Sequence, residues 1–360
     1  MLSIIYPYRN RDLERIKNSF ESLKNQTILD FEVFFVDYGS NIDIAKEVNE
    51  LCNKYYFISY YFHPSQDQPW NKSKALNSVI KTLKTEYFFV ADVDMIFHPQ
   101  FVEKAIKLQK CNKITYFQVG FLSSDTKKIN GKYTFNSSYR KSTSGATGLT
   151  MFPVNIIKEL GGFDEFYHFW GSEDTDMLER IKNAGYQVDF FDEAILMLHQ
   201  WHLSYRANES LNLTQNLQIR GIVQLNHQHL KYSIKNKKTK VNLENWGECI
   251  SQEEVDILSN APISLVQDNE KCKIDHLLFN VLPNGSSGET LKVLIKKDAF
   301  QNSKKYWVKR ILYKKVPKYY TLKQINDKML LHLITFYRNR PYSVKISDDL
   351  KNIELAIIFL

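Results

Sequence analysis

Cysteine is scarce in this sequence of 360 residues: Cys52, Cys111, Cys249 and Cys272 are scattered, and none stand at CxxC spacing. That offers no disulfide framework, and the thiols are expected to be reduced and mostly structural, as in a cytoplasmic protein. No uninterrupted apolar run approaches the roughly 20 residues of a membrane-spanning helix, so no span is expected. The chain opens on the strand-like Leu2-Ser3-Ile4-Ile5-Tyr6, without the basic region and long apolar core of a signal peptide. The sequon at Asn136 is accordingly read as incidental. No Gly-rich phosphate loop follows the first strand candidate, and no internal repeat is present. Beyond about residue 241 no catalytic motif is found.

What is present is an ordinary globular composition, 43% hydrophobic and 24% charged, with room for one large domain and a smaller one. Aromatics are abundant at 14% and suit deep cores or stacking on bases and sugar faces. The net charge of +8 fits an anionic partner: a nucleotide diphosphate, phospholipid, nucleic acid or acidic polysaccharide.

Strand and helix signals alternate through the first half. Strands are expected at 2–6, 31–37, 56–62, 86–91 and 114–119, and helices at 11–24, 42–52, 70–83 and 99–109. This pattern predicts βαβ units and a mostly parallel sheet, whose ligands bind beyond the carboxyl ends of its strands. Residues 127–148 read as a polar loop over the site, 153–160 and 173–184 as helices, and 188–198 as a strand. Residues 206–240 read as a helix and linker. Residues 241–360 read as a smaller α/β unit, with strands at 277–281, 291–295 and 353–360 and a helix at 322–337.

The most informative stretch is Tyr87-Phe88-Phe89-Val90-Ala91-Asp92-Val93-Asp94. Strand positions i and i+2 point the same way, so Asp92 and Asp94 are expected together at a strand's C-terminal end. Carboxylates that close repel unless a cation or hydrogen-bond donors compensate. Mg²⁺ or Mn²⁺ carrying a diphosphate is one compensation, and a solvated turn is the plain alternative. Tyr6-Pro7-Tyr8-Arg9-Asn10-Arg11 leads from a strand to a helix, where cationic forks hold a diphosphate or simply form a basic turn. Asp37 can accept an N–H from a base edge or cap its own turn. Lys74 and Asn77 share a helix face that suits phosphate or merely water. Trp170 suits core or sugar stacking. Glu173 and Asp174 follow Ser172, a candidate cap, at a helix start whose dipole favours the Asp174 anion. His199 and His202 would lie on opposite faces of a strand, and can share a metal only if that segment turns. The run 304–315 interleaves Lys and Arg with aromatics. It suits a peripheral membrane surface, an anionic-polysaccharide groove, a nucleic-acid contact, or a solvated basic face.

Arg9-Asn10-Arg11, Asn71-Lys72-Ser73-Lys74-Ala75-Leu76-Asn77, Asp92-Val93-Asp94, Trp170-Gly171-Ser172-Glu173-Asp174-Thr175-Asp176 and His199/His202 stand in the order of inverting GT-A glycosyltransferases. Residues 1–205 most resemble the β-1,4-galactosyltransferase group and family 2 enzymes of the chondroitin-polymerase type. The resemblance implies that Asp94, His202 and His199 ligate Mn²⁺ or Mg²⁺ on the donor diphosphate. Asp92 would hold ribose or a metal-bound water, and Asp37 would read the uracil edge. Arg9, Arg11 and Lys74 would hold phosphate, with Pro7, Asn77 and Val93 also in the donor site. Asp174 would be the catalytic base, and Trp170, Gly171 and Glu173 would grip the acceptor. Two departures leave the sugar preference open: Thr175 replaces a further acid, and His199 replaces a methionine.

The expectation is therefore a GT-A α/β domain at 1–205, a linker at 206–240 and a C-terminal α/β domain at 241–360. The expected activity is inverting transfer of a hexose or N-acetylhexosamine from a UDP-sugar to a glycan or lipid-linked glycan in bacterial surface-polysaccharide synthesis. The location is expected to be cytoplasmic, with peripheral contact on the inner membrane face through 304–315, and no nucleic acid as partner. A sugar-nucleotide nucleotidyltransferase and a non-catalytic glycan-binding module are the alternatives.

Overall fold

The computed structural model describes residues 1–110, 113–126, 134–203 and 209–359. Cys111 and Asn112, residues 127–133 of the expected polar loop, residues 204–208 at the expected junction of the first domain and the linker, and Leu360 lie outside the described residues.

The chain forms two compact units. The first comprises Met1–His63, Trp70–Ala207 and Val223–Cys249. Its strands are β1 (Leu2–Tyr8), β2 (Phe31–Tyr38), β3 (Ile58–His63), β4 (Tyr87–Val90), β5 (Met95–Phe97), β6 (Lys113–Phe117), β7 (Gly120–Phe121), β8 (Arg140–Lys141), β9 (Thr150–Pro153), β10 (Gln187–Phe191) and β11 (Met197–His199). Its helices are α1 (Leu13–Lys24), α2 (Ile42–Cys52), α3 (Lys72–Ile80), α4 (Phe101–Leu108), α5 (Val154–Glu159), α6 (Glu173–Asn183) and α7 (Ile222–Lys235).

Seven strands make the main sheet, in the order β10-β6-β9-β4-β1-β2-β3. All its pairings are parallel except those of β9, which runs against β4 and β6. Alternate residues serve opposite faces, as a pleated strand requires. Ile4, Tyr6 and Tyr8 of β1 join Phe20 of α1, Val48 of α2 and Phe101 of α4 in one core layer. Ile5 joins Leu76 of α3, Ile157 of α5 and Met177 of α6 in the other. This is the expected α/β class, with helices on both faces. Because β1, β2 and β4 are parallel and in register, Arg9, Asp37 and Asp92 end neighbouring strands on one rim. A small sheet, β5-β11-β7-β8, lies beyond β4 in sequence. The single strand expected over 188–198 is in fact β10 and β11, in different sheets, because the exposed Asp192–Ala194 break it.

The second unit comprises Pro64–Pro69, Asn208–Ile222 and Ile250–Leu360. It holds α8 (Gln252–Asn260), β12 (Leu265–Asp268), α9 (Lys271–His276), β13 (Thr290–Lys296), α10 (Lys304–Ile311), α11 (Leu322–Phe336), β14 (Tyr342–Ile346) and β15 (Asn352–Ile358). Its strands form one sheet, β12-β13-β15-β14. The strand expected at Leu277–Val281 is instead a π-helical turn continuing α9. Ile274, Leu277, Leu278 and Leu282 are buried, which is a helical spacing that the mostly apolar Leu277–Val281 concealed.

The units divide differently from the expected segments. Pro64–Pro69 belongs to the second unit, where the Gln68 amide donates to the Tyr342 carbonyl at 2.9 Å and the Val344 N–H to the Asp67 carbonyl at 2.8 Å. The expected linker splits, and most of α7 belongs to the first unit. No helix among the described residues is long and apolar enough to cross a membrane.

Candidate active site

After β4 the chain turns at Asp92-Val93-Asp94 and enters β5, which pairs antiparallel with β11 so that His199 lies opposite Met95. β11 ends at His199, and the chain leaves strand geometry before His202. Both imidazoles therefore reach the same carboxylate. The Nε2 of His202 lies 3.0 Å and that of His199 3.6 Å from Asp94 Oδ2. Asp94, His199 and His202 form a group able to hold a metal ion, with one ligand atom from each lying within 4.8 Å of the others. Asp94 Oδ1 is buried and has no hydrogen-bond partner among the described residues. A buried carboxylate oxygen without a donor is costly, and a cation between it and the imidazoles relieves that cost. The donor set thus fits a divalent ion of the Mn²⁺ type, which accepts mixed oxygen and imidazole ligands. Burial works to raise the Asp94 carboxyl, but the charges of His199 and His202 outweigh it and hold it below the ordinary value. His202 is raised in turn, chiefly by its hydrogen bond to Asp94.

Sequence reasoning missed what fixes this arrangement. Gln200, almost fully buried, takes a hydrogen bond from Asn18 of α1 at 2.9 Å and donates to the carbonyls of Arg15 and Asp94 at 3.0 and 3.2 Å. Its backbone N–H also reaches the Asp94 carbonyl, at 3.1 Å. A glutamine between two histidines carries no motif signal, and only the fold turns it inward.

Asp92 takes a different partner. Lys72, the first residue of α3, places Nζ 3.6 Å from Asp92, 3.4 Å from Glu173 and 3.2 Å from Asp174. One cation therefore serves three carboxylates. Burial works against the Lys72 charge, but Asp174, Asp92 and Glu173 outweigh it and keep the ammonium protonated well above the ordinary lysine value. Burial raises Asp174 to about 8, with the negative charges of Glu173 and Asp92 adding to it and Lys72 opposing. The helix dipole, which favours the Asp174 anion, is thereby outweighed. A partial charge at a helix end is worth a fraction of what desolvation among like charges costs. Lys72 lay within a quoted motif, yet the spacing argument selected Lys74.

The turn that delivers Glu173 and Asp174 is strained. Phe169, Gly171 and Ser172 all have positive φ, at 64°, 101° and 78°. Non-glycine residues resist this region by about 1–2 kcal/mol each. Asn226 of α7 holds the turn, its amide donating to the carbonyls of His168 at 3.1 Å and Trp170 at 3.0 Å. Ser172 occupies the N-cap position of α6 but makes no side-chain cap, and its buried hydroxyl has no partner among the described residues. Its left-handed backbone turns the hydroxyl away from the free N–H groups that a β-region cap would reach. Trp170 is 46% exposed, so it is no core residue and presents a face to solvent. Gly148 sits so close to Asp174 that a Cβ there would meet Oδ2 at 3.2 Å.

The remaining candidates divide. Arg11 is exposed and its charge reaches His202, while Pro7 and Val93 are buried at the rim. Arg9 lies close enough for its charge to favour the Asp37 carboxylate. Asp37 itself is fully buried, accepting from the Ser40 N–H and the Tyr60 hydroxyl at 2.9 Å each, which is the geometry of the turn reading. Asn77 is also fully buried, bonding Phe163 through both its amide nitrogen and oxygen and Glu165 through its nitrogen. It anchors the turn after Gly161-Gly162 and has nothing left over for phosphate. Lys74 is buried, and its charge is felt by His63 and Cys249.

Residues 3–156 match the model of glycosyl transferase family 2, and residues 122–202 match that of the N-terminal domain of galactosyltransferase. Together they span both clusters. The chain is 27% identical over 136 residues to pig (Sus scrofa) β-1,4-galactosyltransferase 5, a match covering 37% of this chain and 31% of that protein. It is 32% identical over 132 residues to an uncharacterized glycosyltransferase of Rickettsia bellii, covering 37% of this chain and 18% of that one. The chain thus spans less than a third of the length of these relatives. The structure of GalNAc-T7 with UDP, GalNAc and Mn²⁺ overlaps 66% of this chain and 50% of its own, at 12% identity and a TM-score of 0.49. The two family matches overlap, enclose the acid and histidine clusters, and place residues 3–202 among the glycosyltransferases.

Proposed function

We propose that the first unit transfers a hexose or N-acetylhexosamine from a UDP-sugar to a carbohydrate hydroxyl, with inversion and with a divalent metal, in assembly of a bacterial surface polysaccharide. One observation carries the reading. Asp92 and Asp94, two residues apart, face two different clusters, one with the makings of a metal shell and one holding a protonatable carboxylate at a helix start. The kinship with proteins named galactosyltransferases supports a hexosyl donor.

Asp94, His199 and His202 would hold the metal, Mn²⁺ being the best match to one carboxylate and two imidazoles. When bound, that ion supplies Lewis-acid stabilisation of the charge that grows on the departing diphosphate. The chain's own groups do the rest. Asp174 accepts the acceptor hydroxyl's proton as its oxygen bonds to the anomeric carbon and the bond to the diphosphate breaks. A base with its pKa near 8 is well matched to that task at neutral pH, since it holds the proton firmly yet is partly ionised. Lys72 favours the ionised form of Asp174 and holds it against Glu173. Trp170 offers an exposed indole to a sugar face, and Arg11 adds positive charge near the metal group. Attack opposite the diphosphate inverts the anomeric centre.

Calorimetry with UDP, with and without Mn²⁺, tests the reading together with UDP release from a panel of UDP-sugars. Metal-dependent UDP binding and release with at least one donor are expected. UDP binding indifferent to metal, with no release from any donor, would refute it.

A further inference from the structure

The second unit carries a helix built the wrong way round for a globular surface. α10, Lys304–Ile311, is anchored through one residue: Tyr306 is buried and packs on Phe300, Trp307 and Tyr319, with ring centroids 5.7, 6.0 and 5.7 Å away. Ser303 caps the helix, its hydroxyl accepting from the Tyr306 N–H at 3.1 Å. At 100° per residue, Trp307, Ile311 and Val308 fall on the side opposite Tyr306. They are 50%, 71% and 53% exposed. The next two residues continue the patch, Leu312 at 56% and Tyr313 at 98% exposure. An amphipathic helix at a protein surface normally turns such residues inward, and an exposed apolar cluster of this kind marks an interaction site.

The charge around the patch selects the partner. Lys304, Lys305, Lys309, Arg310, Lys314 and Lys315 surround it, and no Asp or Glu occurs anywhere from residue 299 to residue 326. Five of these cations are exposed, and Arg310 lies 5.3 Å over the Trp307 ring. A protein partner matching only the apolar stripe would have no use for so many uncompensated cations. A purely ionic partner, such as a polyanionic glycan or nucleic acid, would leave Trp307, Val308, Ile311 and Leu312 in water. An anionic phospholipid surface satisfies both: headgroup phosphates meet the Lys and Arg rim, and the apolar residues enter the boundary of the acyl chains.

We propose that α10 and the turn to Lys315 form an interfacial docking surface for an anionic lipid bilayer, with Trp307, Val308, Ile311, Leu312 and Tyr313 inserting and the surrounding cations contacting headgroups. The segment is too short to span a bilayer and lies along it instead. This inference is independent of the sugar donor and of the metal.

Co-sedimentation of the full chain with vesicles tests it. Vesicles of phosphatidylcholine with about a third phosphatidylglycerol are compared with phosphatidylcholine alone. Binding to the anionic vesicles is expected at least about tenfold tighter, and weakening as salt rises. The double variant W307S/I311S is expected to lose binding at least about tenfold with only a small change in its melting temperature, because both side chains are at least half exposed. The charge variant K314E/K315E is expected to weaken binding to anionic vesicles while leaving the weak binding to neutral ones as it was. Equal binding to both vesicle types, or none, overturns the proposal. So does binding to heparin or RNA that W307S/I311S leaves intact while no vesicle is bound. Self-association in sedimentation velocity that W307S/I311S abolishes, without vesicle binding, would assign the patch to a second copy of the chain and overturn it equally.

Discussion

Two polar clusters of the first unit are fed by the same short turn, yet they solve the problem of buried negative charge in opposite ways. Around Lys72, the chain supplies its own cation to Asp92, Glu173 and Asp174. Around Asp94, it supplies two imidazoles and leaves one carboxylate oxygen without a partner. The first cluster carries its own cation and can hold or release a proton. The second has the donor set that an added ion would complete. The contrast teaches that a DxD pattern need not be one site: a step of two residues at the end of a strand is enough to hand its acids to different chemistries.

The largest effect is expected from Asp94→Ala. It removes the oxygen that both imidazoles face, and should abolish Mn²⁺-dependent UDP binding in calorimetry and cut turnover by about 10²–10³-fold or more. Asp92→Asn should keep metal-dependent UDP binding. If the two variants lose metal equally, the division between the clusters is wrong. Next comes Asp174→Asn, for which transfer should fall about 10²–10⁴-fold while UDP affinity is retained. Unchanged turnover would remove Asp174 from the role of base.

The third prediction concerns pH. Asp174 must be ionised to act, and burial raises its carboxyl above the ordinary value, so kcat/KM should rise with pH on a limb set by Asp174. Glu173→Gln removes a like charge and should move that limb to lower pH. Lys72→Met removes the opposing cation, should move it to higher pH, and should destabilise the fold by about 3 kcal/mol through its orphaned acids. Profiles of kcat/KM between about pH 6 and 9.5 and thermal melts check both. A limb that moves the same way in the two variants would break the electrostatic account. The smallest functional effect is expected from Asn77→Ala. Its lost hydrogen bonds should cost about 2–4 kcal/mol in chemical denaturation, with UDP affinity unchanged. A loss of UDP affinity without a loss of stability would return Asn77 to the donor site.

Much of this was legible in the residues. The alternation of apolar runs with helical periods located six of the seven strands of the main sheet, because those periods arise within a few residues, but it missed β9, the short antiparallel strand between β4 and β6. The rim carrying Arg9, Asp37 and Asp92 followed from parallel order alone. Legibility failed where a choice depended on packing. Leu277–Val281 is apolar enough for either structure, and only its buried spacing makes it helical. Lys72 and Lys74 differ by two positions on one helix, and the sequence offers no reason to prefer the first. Asp37 and Asn77 are polar residues whose hydrogen bonds go to structural partners, those of Asp37 to Ser40 and Tyr60 and those of Asn77 to Phe163 and Glu165 of a distant turn. The outward-facing stripe of α10 needed the burial of Tyr306 to show which side is inside.

The sequence by itself determined the α/β alternation, the order of the acid and histidine motifs, and the acid-free basic run at 299–326. These rest on local periodicity and on residue chemistry. Only the tertiary structure decided which charge answers which. Lys72 meets Asp174 across 102 positions, and Asp94 meets His202 because β11 ends in time for the chain to turn. Such pairings are contacts between distant segments. Their energy depends on distance and burial, which a linear pattern does not specify and the packed fold does.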